Sequence, residues 1–250
     1  MKIQPTIIET VKLPSKGLLY KGIPDHFSIR PMTVNEVKML YGSSNTLQAL
    51  NKIIQSVIVD VPDFPVEDMV SADKLYLAYM IRSITFTPEY KSRPYCPYCK
   101  TQVDVSIDLM NDIEVEYLPD DFQNPRNIGK LPVSGDEIEI RLLTSSDFER
   151  IINRANEIRK KFPEYEGEPT YPVTMAMQIY SVNGKRLGSR DMEEYVLDMP
   201  AMDDLYINKK VAELSFGPKM PVEVECPHCG TTLNVSVNIA EDFFRPSMDF

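Results

Sequence analysis

The sequence predicts an α+β protein made of two pseudo-symmetric modules. Each consists of helices followed by a β-hairpin, and the two are joined at one shared four-cysteine site of zinc-ribbon type. Three observations carry that prediction. The chain of 250 residues has only four cysteines, and they fall in two Cys-Pro-x-Cys knuckles, Cys96-Pro97-Tyr98-Cys99 and Cys226-Pro227-His228-Cys229. The offset that carries Cys96 onto Cys226 also carries Asp73, Leu75, Tyr76, Phe86, Pro88, Thr101, Val105, Ser106 and Asp112 onto Asp203, Leu205, Tyr206, Phe216, Pro218, Thr231, Val235, Ser236 and Asp242. A fixed period of this kind marks a repeated structural unit. Period-two alternation then flanks the second knuckle, through Val222 and Val224 before it and Leu233, Val235, Val237 and Ile239 after it. Such alternation about a tight turn marks a hairpin with one buried face.

With gaps the likeness runs further back. Leu13-Pro14-x-x-Gly17 matches Leu131-Pro132-x-x-Gly135, and Ile29-Arg30-x-x-Thr33-x-x-Glu36 matches Ile140-Arg141-x-x-Thr144-x-x-Asp147. The chain is therefore read as an extended N-terminal arm over 1–30, a first module over 31–120, a second module with a helical insertion over 121–240, and a C-terminal tail over 241–250.

Taken in order, the arm is broken by Pro5, Pro14, Gly17, Gly22 and Pro24, which leaves room only for extended chain and short strands. Thr33-x-x-Glu36 is a capping box, in which hydroxyl and carboxylate satisfy first-turn amides, so a helix follows through Val37, Leu40 and Tyr41. Gly42-Ser43-Ser44-Asn45 breaks it. Leu47, Leu50, Ile53, Ile54 and Val57 then give the stripe of a second helix, stopped by Pro62 and Pro65. Ser71 opens a third helix with Leu75, Leu77, Ala78 and Ile81 on its buried side. Its counterpart begins near Pro200, a residue suited to a first helical turn, and carries Leu205, Ile207 and Val211. Both are expected to run into strand starts, at Ile84-Thr85-Phe86 and Leu214-Ser215-Phe216. The insertion reads as a helix from Ser146-x-x-Glu149 to the cations Arg159-Lys160-Lys161, then an exposed acidic loop from Glu164 to Pro172. The tail is acidic and aromatic. It suits docking to a partner or folding back on the chain's own core, and the sequence leaves both open.

Two thiolates at each hairpin turn make half of a tetrahedral site, so Cys96, Cys99, Cys226 and Cys229 are the candidate ligands of one structural Zn2+. Zinc ribbons usually separate their pairs by about 15–20 residues. The longer separation here adds about 2 kcal/mol of loop-closure entropy, small beside the roughly 10–16 kcal/mol of structural zinc binding in peptides. Zinc would then clamp folded halves. Three alternatives are weighed: a rubredoxin-like iron site, against which Lys100 counts because it replaces the expected glycine; dithiol redox pairs, against which the matching positions count because they fit shared ligation better; and a site shared between knuckles of different chains. His228, inside a knuckle, reads as a surface position, and His26 beside Asp25 as a local hydrogen-bond former.

A formal charge of −10 repels phosphate backbones and argues against a broad nucleic-acid-binding face. No apolar stretch approaches the roughly 20 residues of a membrane span, and the N-terminus lacks the apolar core of a signal peptide. A reducing compartment is therefore expected, where paired cysteines more often hold metal than form structural disulfides. No phosphate-binding glycine loop, nucleophile elbow or His-Glu-x-x-His helix occurs, and a closed four-cysteine site leaves no open metal position. No enzyme is read.

The order of Leu13-Pro14-Ser15-Lys16-Gly17-x-x-Tyr20, Ile29-Arg30-Pro31-Met32-Thr33-x-x-Glu36, and a helix with Leu75 and Arg82 leading to Phe86 and the first knuckle resembles baseplate proteins of contractile-tailed, T4-type bacteriophages, nearest the hub and hub-assembly family. That resemblance implies a non-catalytic virion or assembly protein, folded in the host cytoplasm and placed in the tail baseplate. Its partners would be other baseplate or hub subunits, with oligomerisation open. The alternative from another class is a zinc-ribbon nucleic-acid adaptor using Lys91, Arg93, Tyr90, Tyr95 and Tyr98.

Overall fold

The structure, a computed structural model, describes residues 8–41, 46–239 and 243–244. The chain begins with β1 (Glu9–Lys12), β2 (His26–Ile29), α1 (Val34–Tyr41), α2 (Thr46–Val57), a 3-10 turn at Val66–Asp68 and α3 (Ser71–Thr85). Short strands follow: β3 (Glu89–Ser92), β4 (Tyr95–Cys96), β5 (Thr101–Gln102), β6 (Val105–Asp108) and β7 (Val115–Glu116). Next come β8 (Arg126–Lys130), β9 (Glu137–Ile140), α4 (Ser145–Lys161), α5 (Thr170–Gln178), β10 (Ile179–Val182), α6 (Ser189–Leu197) and α7 (Ala201–Ala212). The last strands are β11 (Gly217–Pro218), β12 (Val222–Glu225) and β13 (Thr232–Val235). The protein is thus mixed α and β, with seven α-helices and small antiparallel sheets among the described residues.

Two compact units divide these elements. Unit 1 gathers Met1–Val66, Ala72–Asp120 and Phe216–Phe250; unit 2 gathers Glu67–Ser71 and Asp121–Ser215. The chain therefore leaves unit 1 after β7, builds unit 2, and returns at β11, which pairs with β7 through Gly217↔Glu116 and Pro218↔Val115. That return brings both cysteine knuckles into unit 1.

In unit 1, β1 and β2 pair from Glu9↔Ile29 to Lys12↔His26, so strands occupy part of the arm read from the sequence; its first seven residues lie outside the described ones. The turn after β1 needs left-handed backbone at Lys16 and Gly17 (φ 53° and 70°), and a Cβ on Gly17 would meet the carbonyl oxygen of Pro24 at 2.5 Å. Only glycine fits there. The stripe Leu50, Ile53, Ile54 and Val57 of α2 is buried, as its 3.6-residue period requires. α3 differs from the one-sided helix expected: every residue from Leu77 to Ser83 is buried. It also continues through Thr85, whose hydroxyl donates to the carbonyl of Ile81 at 2.6 Å. Ile84 and Thr85 thus end a helix, and the strand begins only at Glu89. In unit 2, β10, β9 and β8 form a three-stranded sheet, and its Ile128, Ile138, Ile140 and Ile179 share a buried core with Met175 of α5 and Ile207 of α7.

The two units use the same local devices. In unit 1, Arg30 donates to both carboxylate oxygens of Glu36 (3.0 and 3.4 Å), while the amide and hydroxyl of Thr33 donate to Glu36 Oε2, each at 2.7 Å. In unit 2, Arg141 grips both oxygens of Asp147 (2.7 and 2.9 Å), and the amide and hydroxyl of Thr144 donate to Asp147 Oδ2 (2.9 and 3.0 Å). Thr144 is the N-cap of α4, so the capping box is Thr144-x-x-Asp147 and not Ser146-x-x-Glu149. α5 then starts at Thr170, which shortens the expected loop; Pro172 sits in its first turn, where no amide is needed. Two fully buried aspartates cap the Leu-Pro turns. Asp73 accepts from the amide and hydroxyl of Ser15 (2.8 and 2.5 Å) and from Tyr20 (2.7 Å). Asp203 accepts from the amides of Val133 and Ser134 (2.7 and 2.9 Å).

Glu36 makes the first of these devices testable by pH. Burial alone would raise its pKa, but the Arg30 guanidinium, the Thr33 amide and the Thr33 and Ser56 hydroxyls outweigh burial and lower it from 4.5 to about 2. The folded value lies below the unfolded one, so this stabilisation is present above pH 4.5 and disappears as pH falls towards 2. Glu36→Gln is expected to cost about 3 kcal/mol at pH 7, with the gap to wild type closing near pH 2. Urea unfolding at both pH values measures it, and equal stability at pH 7 would refute the assignment.

Candidate metal centre

Each knuckle is built the same way. β4 and β5 pair in the register Tyr95↔Gln102 and Cys96↔Thr101, and β12 and β13 pair through Glu225↔Thr232. Proline after the first cysteine presets the turn's φ. The amide of Lys100 closes the first turn onto the carbonyl of Cys96, and that of Gly230 closes the second onto Cys226, both at 2.9 Å. Lys100 and Gly230 occupy the same left-handed backbone, φ 57° and 71°. Lysine therefore replaces glycine in the first knuckle without changing the turn.

The four cysteines meet inside unit 1. Their sulfurs all lie within 4.8 Å of one another. Across the knuckles, Cys96 Sγ is 3.7 Å from Cys229 Sγ, and Cys99 Sγ is 3.8 Å from Cys226 Sγ. A tetrahedron of sulfurs about 2.3 Å from a central zinc has edges of about 3.8 Å, whereas a disulfide needs about 2.0 Å. The spacing suits a bound ion, and all four cysteines are free. Within each pair the first cysteine is the inner one, 0% exposed at Cys96 and 2% at Cys226, and the second faces outward.

Electrostatics follow that layout. As free thiols, Cys99 and Cys229 sit below the ordinary thiol value, Cys229 at about 6. The chief cause is the hydroxyl two residues on, Thr101 for Cys99 and Thr231 for Cys229. Burial pushes Cys226 up to about 11 despite the amides of His228 and Cys229. A divalent cation is what an inner sulfur needs to ionise, since metal binding displaces the thiol proton. Four thiolates around one ion leave no open coordination position, so the arrangement can hold structure but offers no site for substrate.

The other sequence candidates fall elsewhere. His228 is exposed, with Nδ1 3.4 Å from the Thr101 hydroxyl. His26 pairs with Asp25 at 2.7 Å. Of the suggested nucleic-acid patch, Tyr95 and Tyr98 are 59% and 72% exposed, but Arg93 is paired with Asp104 and Tyr90 is engaged by Arg82 and Phe243. Sequence reasoning missed the roles of Thr101 and Thr231, although both stand in a matched column. It also missed a cleft of about 570 Å³ in unit 2 lined by Arg154, Ile158, Phe162, Val173, Arg190 and Leu197. Both arginines there are paired, Arg154 with Glu193 and Arg190 with Glu194. Among the described residues no helix is long and apolar enough to cross a membrane.

Comparison with known families supplies the protein class. The family model described as T4 bacteriophage base plate protein matches residues 5–194. The chain belongs to that family, and is a structural protein of the phage baseplate, assembled with other phage subunits in the virion tail. The match includes the first knuckle and ends before α7 and the second. No curated protein and no solved structure matches the chain.

Proposed function

We propose that this chain is a non-enzymatic structural or assembly protein of the baseplate hub, built from a duplicated module and locked by one Zn2+ on Cys96, Cys99, Cys226 and Cys229. The observation that carries the metal reading is the cluster of four sulfurs within 4.8 Å of one another, contributed by segments on either side of residues 121–215 of unit 2. A metal there ties the outgoing chain, at the β4–β5 turn, to the returning chain, at the β12–β13 turn. Unit 1 is thereby cross-linked between the stretches that precede and follow residues 121–215. The duplication is supported by the paired devices: Arg30/Thr33/Glu36 beside Arg141/Thr144/Asp147, and Asp73 beside Asp203. Iron is the rival ion, and colour distinguishes it. Two of the tail's aromatics, Phe243 and Phe244, are buried in unit 1.

Two measurements test the reading. Elemental analysis of the purified chain should give one zinc per chain, with no visible absorption. Mass spectrometry of purified tails should find the chain beside hub subunits, or only in assembly intermediates if it acts in assembly. A chain that takes up no metal would refute the lock, and recovery with tail-tube or fibre parts alone would refute the hub placement.

A further inference from the structure

The two outer sulfurs are the vulnerable ones, because water, chelators and oxidants reach them before the buried pair. Each has the same neighbour. The Thr101 hydroxyl lies 3.1 Å from Cys99 Sγ, and the Thr231 hydroxyl lies 3.5 Å from Cys229 Sγ. Both threonines stand at the point where the turn becomes the outgoing strand: Thr101 is paired with Cys96, and Thr231 accepts from the Cys226 amide at 2.8 Å. Thr101 is exposed and Thr231 half-buried, so packing does not demand either side chain.

Resting on the metal reading above, we propose that Thr101 and Thr231 are positioning residues of the metal centre, each donating a hydrogen bond to the outer sulfur of its own knuckle. Four thiolates around a divalent cation carry a net charge of 2−, and donors to sulfur draw off part of that charge. Partners of this kind fix ligand orientation and tune affinity without touching the ion. The inner sulfur of the second knuckle has the turn amides of His228 and Cys229 instead, so the hydroxyls serve the ligands that project furthest into solvent. Thr101 is also within reach of His228 Nδ1, 3.4 Å away. Its hydroxyl can accept from the ring while donating to Cys99, which links the two knuckles.

The test uses the full chain with Co2+ as probe, read by its thiolate charge-transfer and visible absorption under competition with a chelator. Thr101→Val and Thr231→Val should each weaken Co2+ binding about 10-fold, and Thr→Ser at either site should stay within about threefold of wild type. In the loaded protein, peptide mapping after alkylation should show Cys99 modified faster in Thr101→Val, and Cys229 faster in Thr231→Val, with Cys96 and Cys226 unchanged. A loss of structure alone would expose all four cysteines together. Wild-type affinity and labelling in both valine variants, or equal losses in valine and serine variants, would overturn the proposal while leaving the metal centre standing. A wild-type chain with no tetrahedral thiolate spectrum would overturn both.

Discussion

Stripping the metal from the loaded chain should lower the unfolding temperature of unit 1 by about 8–16 °C and leave the transition of unit 2 in place. The size follows from linkage. A ligand free at about 1,000 times its Kd stabilises the folded state by about 4 kcal/mol, and each kcal/mol moves the midpoint of a domain of this size by about 2–4 °C. The selectivity follows from topology: all four cysteines belong to unit 1, and none to the chain between β7 and β11. Cys226→Ser should reproduce the effect. It removes a buried sulfur and, in the proposed site, leaves three thiolates without a closed shell. Calorimetry with and without chelator is the measurement. One transition that ignores both chelator and substitution would mean that the sulfurs merely pack together. The midpoint should also fall as pH drops, because protons compete with the metal for thiolates.

The parts of this fold that could be read from the sequence are those whose signals are local. The stripe from Leu50 to Val57, the proline before α7 and the two knuckles each lie within one or two turns of chain. α3 was harder to bound, because a helix buried on all sides has no stripe to mark its end. The start of α4 was misplaced by two residues because two box-like motifs overlap; Arg141, arriving from β9, selects Asp147. β10 follows α5 with no breaker between Gln178 and Ile179, and β8, β9 and α6 are short, so none stood out. The cysteine cluster was legible as a set of candidate ligands but not as geometry. A threonine two residues after a cysteine reads as ordinary strand composition until the oxygen–sulfur distances are known. The fate of the tail was open for a related reason. Aromatic residues suit a partner's surface and a protein's own core equally, and only the position of Arg82 decides for Phe243 and Phe244.

Arg82→Ala is expected to cost about 3–5 kcal/mol. Arg82 is 3% exposed and has no carboxylate partner among its hydrogen bonds. Its fork instead donates to three backbone carbonyls: Phe243 at 2.9 Å, Thr87 at 2.8 Å and Glu89 at 3.0 Å. These join the end of α3, the entry to β3 and the C-terminal segment. Its guanidinium also lies over the rings of Phe243 and Tyr90, 5.4 and 5.6 Å from their centroids, and Phe243 packs against Tyr79, 5.8 Å away. Truncation would leave three acceptors without this donor at about 1 kcal/mol or more each, and would release the aromatic cluster besides. Lysine cannot substitute, because a single ammonium does not present the planar fork that reaches all three carbonyls. Arg82→Lys should therefore recover less than half of the loss, and Phe243→Ala should cost a comparable amount by opening a cavity. Because both residues hold the same segment, the double variant should lose less than the sum of the singles. Strict additivity in urea unfolding would show that Arg82 supports β3 alone and that the C-terminal aromatics are held independently of it.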